Sequence, residues 1–90
     1  MNKPILFYSK LCPDTAPFVA ELERLNINYE PINIFESMAN FKQFLRLRDT
    51  NAAFDNTKAQ GSIGIPALVI NNEHIILKHK EIENLEIIYK

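Results

Sequence analysis

One cysteine, Cys12, is all the thiol chemistry that these 90 residues carry. An internal disulfide is therefore excluded, and a reducing compartment, most simply the cytoplasm, is the expected setting. Glycine is almost as scarce, with only Gly61 and Gly64. No stretch approaches the ~20 apolar residues of a membrane span, and the opening MNKPILFYSK is too polar and too short to read as a signal peptide. Neither sign of charge dominates. The formal net charge of −1 removes the global attraction on which binding to nucleic acid or an anionic membrane rests, so neither partner is expected. No repeat, linker or low-complexity segment divides the chain, which reads as one domain over residues 1–90.

What is present is an ordinary globular composition, 47% hydrophobic and 23% charged, with enough residues for one core. PILFY (Pro4 to Tyr8) is an apolar run without alternation, the pattern of a central strand buried on both faces. After Cys12, Phe18, Leu22 and Leu25 recur at helical spacing and predict an amphipathic helix ending near Asn26. INYEPINIF reads as a strand that Pro31, lacking an N–H, assigns to a sheet edge or a bulge. Ser37 is the expected N-cap of a second helix. That helix has Met38, Phe41, Phe44, Leu45 and Leu47 on its apolar side and Lys42, Arg46 and Arg48 in water. A short helical stretch then stops at Gly61. ALVI and HIIL, joined by an Asn-Asn turn, read as an antiparallel hairpin. In the tail, Ile82, Leu85 and Tyr89 share one helical stripe. The order β-α-β-α-β-β-α predicts an α/β fold: a four-stranded mixed sheet of strand order 2-1-3-4 with flanking helices.

Cys12 falls where the first strand passes into the first helix. Read as the N-cap, with Pro13 at the first helical position, it places its sulfur among free amides at the positive end of the helix dipole, which favours a thiolate. Lys10 adds positive charge two residues before, while Asp14 opposes it. Thr15 puts a hydroxyl within reach of the sulfur or the turn, and Pro17 falls in the second helical turn, where it removes a backbone bond. An inert, buried cysteine is the competing reading. SIGIP holds the second signal: clustering both glycines before Pro66 suggests unusual backbone angles or a close approach, and an ordinary helix-stop loop leading into a strand is the competing reading. His74 and His79 lack ligand spacing, so no metal site is expected. Phe41 and Phe44 read as core.

Taken together, KLCPDT, ESMANFKQFLRLRD and GSIGIPALVIN, in that order of elements, resemble the glutaredoxins of the thioredoxin superfamily. The closer resemblance is to a bacterial glutaredoxin-related group whose usual site is C-P-D-C. The resemblance implies a thioredoxin-like fold with Cys12 as the nucleophile, supported by Lys10, Pro13 and Thr15. It implies Pro66 as the cis-proline, and Ile65 as the residue whose main chain pairs with the cysteine of glutathione. Lys10 stands for the lysine that meets a glutathione carboxylate, one residue nearer the cysteine than in most of the family. Three departures bear on function. Thr15 replaces the second cysteine and closes the dithiol route; the Gly-Gly-acidic motif that holds the γ-glutamyl end is replaced by IILKHKE; and the C-G-F-S signature of iron–sulfur carriers is absent.

The resemblance thus implies a monothiol, glutathione-linked oxidoreductase acting on protein mixed disulfides. Glutathione or another low-molecular-weight thiol is its co-substrate, with no permanently bound cofactor and a monomeric chain. The alternatives are a binding module that kept the fold and lost the chemistry, and a glutathione-dependent [2Fe–2S] carrier.

Overall fold

The computed structural model describes residues 3–71 and 74–84. Its sheet has four strands: β1 (Ile5–Tyr8), β2 (Glu30–Asn33), β3 (Ala67–Ile70) and β4 (His74–Ile76), in the order β2-β1-β3-β4. β2 runs parallel to β1, β3 runs antiparallel to β1, and β4 is antiparallel to β3. This is the expected 2-1-3-4 arrangement. Pro31 sits on the outermost strand, where a missing N–H costs no ladder bond.

Successive residues of a strand face opposite sides, and the core divides accordingly. Leu6, Leu68, Ile70 and Ile76 pack with Phe18 and Leu22 of helix α1 (Thr15–Arg24) and with Ile82. On the other face, Phe7, Ala67 and Val69 pack with Ile34, Phe54 and Phe44, the last from helix α2 (Met38–Thr50). The rings of Phe7, Phe44 and Phe54 form a chain with centroids 5.4 and 5.9 Å apart. Each fully buried ring of this kind stabilises by about 1.5–3 kcal/mol through burial alone.

Ser37 caps α2 as predicted, its hydroxyl accepting from the Asn40 amide at 3.1 Å. A 3-10 turn (Ala52–Phe54) and the short helix α3 (Asp55–Ala59) follow, ending at Gly61, whose φ is +74°. Tyr29 packs on the α1 face of the core. Its phenol is pushed above the ordinary range, first by burial and then by the charges of Glu23 and Tyr8. On α1, hydrogen bonds from Arg24 hold the Glu21 carboxyl below its usual range.

Five sequence expectations are corrected. α1 begins at Thr15, with Asp14 rather than Cys12 at its N-cap. Pro17 explains the delay. As fifth residue of a helix capped by Cys12 and begun at Pro13, its ring meets the carbonyl four residues back; as third residue of a helix started at Thr15, it lies among amides that have no intrahelical acceptor. Met38 is exposed, and Phe41 is half-buried rather than core, set edge-on against the exposed Phe35. Arg48 is not a solvated side chain but is tied to backbone, as described below. The described part of the terminal segment, His79–Asn84, is a 3-10 helix. Leu85 and Tyr89 of the expected stripe lie outside the described residues, as do Asn72 and Glu73 of the hairpin turn. Among the described residues no helix is long and apolar enough to cross a membrane.

Candidate functional site

The site forms at the end of the sheet where β1 leaves and β3 enters. Ser9, only 2% exposed, organises the departing chain. Its hydroxyl accepts from the Leu11 amide at 3.1 Å, and its carbonyl accepts both the Cys12 amide at 3.2 Å and the Thr15 hydroxyl at 2.7 Å. The Cys12 carbonyl in turn takes the Thr15 amide at 3.2 Å. Cys12 therefore stands in a closed turn ahead of the helix rather than on its cap. Thr15 gives its hydroxyl to the turn and not to the sulfur.

Across from this turn runs the loop from Gly61 to Pro66. Arg48 reaches it from α2, donating from Nε to the Ile63 carbonyl at 2.7 Å and from Nη2 to the Ser62 carbonyl at 2.8 Å. The far side is held by the Ser62 amide on the Thr57 carbonyl at 2.9 Å. Gly64 has φ +99°, and a Cβ there would stand 2.9 Å from Phe54 Cδ1, so both reasons for a glycine apply at once. The Ile65–Pro66 bond is cis, and Pro66 is buried.

The two loops meet at the thiol. Cys12 is half-buried, and its Sγ donates to the Ile65 carbonyl at 3.6 Å, a contact between residues 53 apart in sequence. Beside it lies a groove of about 440 Å³ lined by Ser9, Leu11, Cys12, Asp14, Phe35 and the loop from Gly61 to Ile65. A second groove, of about 470 Å³, lies beyond Ile65 and Pro66, with Asn56, Gln60, Lys78 and Glu81 among its polar walls. Cys12, Ile65 and Pro66 are thus brought together. Pro13 is exposed in the turn; Lys10 is exposed as well and is not among the residues lining the thiol's groove.

Sequence reasoning missed Ser9, Phe35 and Arg48. Ser9 and Phe35 carry no signal beyond their place at strand ends. Arg48 meets partners 14 and 15 residues away, which no local pattern reveals.

No family model matches the chain. It is 53% identical over 89 residues to an uncharacterized protein of Haemophilus influenzae (strain ATCC 51907 / DSM 11121 / KW20 / Rd), spanning 99% of this chain and all of that protein. The chain belongs to that protein's family. In three dimensions it is similar to the crystal structure of a glutaredoxin from Archaeoglobus fulgidus, with a TM-score of 0.65 over 100% of this chain and 89% of that one at 20% identity. The fold of this family member is therefore glutaredoxin-like.

Proposed function

We propose that the protein is a single-thiol disulfide-exchange enzyme of glutaredoxin type, acting on protein mixed disulfides with glutathione or another low-molecular-weight thiol as co-substrate. We place it beside the bacterial glutaredoxin-related group, with Thr15 in the second position of C-P-D-C. The observation that carries this reading is the Cys12 sulfur, at the side of an open groove and facing the main chain of Ile65 in a glutaredoxin-like fold.

The Cys12 thiol gives its proton to solvent, and the thiolate attacks one sulfur of the incoming disulfide. A new S–S bond forms at Cys12 while the other sulfur leaves as a thiolate. A free thiol then attacks Cys12 Sγ and carries the captured group away as a new disulfide, so no second cysteine in the chain is required. In the complex the main chain of Ile65 exchanges its contact with the thiol for strand-like pairing with the substrate. Pro66 is buried next to that segment, and Lys10, exposed and outside the groove, is left to meet a carboxylate of the glutathione that attacks from solvent in the second step.

Incubation of the folded protein with oxidised glutathione, followed by intact-mass measurement, tests the reading. One glutathionyl adduct is expected, absent in Cys12→Ser and removed by reduced glutathione. A folded protein that stays unmodified while its unfolded form is labelled would refute it.

A further inference from the structure

Four large hydrophobic side chains are exposed among the described residues: Leu11 at 85%, Met38 at 66%, Phe35 at 50% and Ile63 at 46%. Scattered singly, such residues need no explanation. Here three of the four, Leu11, Phe35 and Ile63, come from three separate segments and line the groove that holds Cys12. Exposed apolar surface is thus gathered at the thiol.

The charges in the groove say what it admits. Among the described residues its lining includes a single charged side chain, Asp14, and no lysine, arginine or histidine. Arg48 is committed to the carbonyls of Ser62 and Ile63. A small thiol such as glutathione brings two carboxylates to this place and finds one more carboxylate and three hydrophobic side chains. A polypeptide brings a neutral main chain, and a hydrophobic side chain on it meets matching surface.

We infer that the half of the disulfide recognised by this groove is a polypeptide segment with a bulky apolar side chain beside its cysteine, rather than an anionic tripeptide. The inference rests on the reading of Cys12 as a disulfide-exchanging thiol. Attack by Cys12 on the peptide sulfur forms the Cys12–peptide disulfide and expels the other half as a thiolate, its electron pair balancing the oxidation of Cys12. Glutathione then acts as the reductant in the second step, where attack from solvent suffices.

The test uses mixed disulfides of thionitrobenzoate with three thiols: a blocked Ala-Leu-Cys-Leu-Ala peptide, a blocked Ala-Gly-Cys-Gly-Ala peptide, and glutathione. Release of the coloured thionitrobenzoate gives the rate, and intact mass identifies the group left on Cys12. The leucine peptide is expected to react on the order of tenfold faster than either of the others, the scale of partly burying one such side chain. Phe35→Ser and Ile63→Ser are expected to bring the ratio of leucine to glycine peptide toward one. Comparable rates for all three disulfides, or fastest reaction with the glutathione disulfide, overturn the inference while leaving disulfide exchange standing. No reaction at Cys12 with any of them removes the reading beneath it as well.

Discussion

Replacing Arg48 by methionine keeps most of the aliphatic stem and deletes the two bonds that tie α2 to the loop before Pro66. The guanidinium donates to Ile63 and Ser62 at 2.7 and 2.8 Å, and the side chain is 20% exposed. Hydrogen bonds to a charged group contribute about 1.5–3 kcal/mol each in well-buried settings. Both acceptor residues are exposed, so water replaces part of each bond, and about 1 kcal/mol apiece is the better figure. The expected loss is about 2 kcal/mol, which lowers the melting temperature of a domain this size by about 10 °C. It lowers the urea midpoint by about 1–2 M, measured by circular dichroism. Arg48→Lys recovers less than half of this, because an ammonium on a flexible stem does not reproduce the planar fork that serves two carbonyls. Since the same loop carries Ile63 and Ile65, Arg48→Met also reduces the preference for an apolar peptide. A methionine variant within about 0.5 kcal/mol of the parent, or a lysine variant equal to it, refutes the assignment of the bonds as a structural tie.

The two glycines separate backbone from packing. Gly61→Ala meets nothing within 4 Å and costs about 1 kcal/mol through its positive φ, whereas Gly64→Ala also drives a methyl into Phe54 and costs about 3 kcal/mol; equal losses in chemical denaturation contradict this. Thr15→Val removes the hydroxyl bound to the Ser9 carbonyl and lowers stability by about 1 kcal/mol, and an unchanged urea midpoint argues against that bond. The raised phenol of Tyr29 favours the neutral form in the folded state. Its stabilisation is complete below the unfolded value near 10 and is lost as pH rises through the higher folded value; Tyr29→Phe is expected to flatten that alkaline decline in thermal melts.

Where a local rule governs, the sequence was enough. Pro31 marked the edge strand because it lacks a donor, Ser37 marked a helix start because its hydroxyl reaches an amide three residues on, and the order of apolar runs led to the sheet. The start of α1 needed one further step, since two prolines compete for the first turn and Pro17 prevails over Pro13. Phe41 carries the same helical spacing as Phe44, yet only one of them faces the sheet; the other leans out onto Phe35 near the open end. The geometry of the candidate site was legible in part: Cys12 and the Ile65–Pro66 step, to which the motifs pointed, do lie together. Its scaffold was not. Ser9 and Arg48 act through main-chain carbonyls, and a carbonyl leaves no mark in the identity of the residue that bears it.

With threonine at position 15 and no second cysteine anywhere in the sequence, this chain holds no thiol of its own to undo a disulfide made at Cys12. Under the proposed function, a partner once captured stays attached for as long as outside thiols are scarce, so the duration of each complex becomes a readout of the surrounding thiol pool. If Cys12 exchanges disulfides as proposed, its partners should be recoverable as mixed disulfides from the unaltered chain, because it carries no second cysteine to release them.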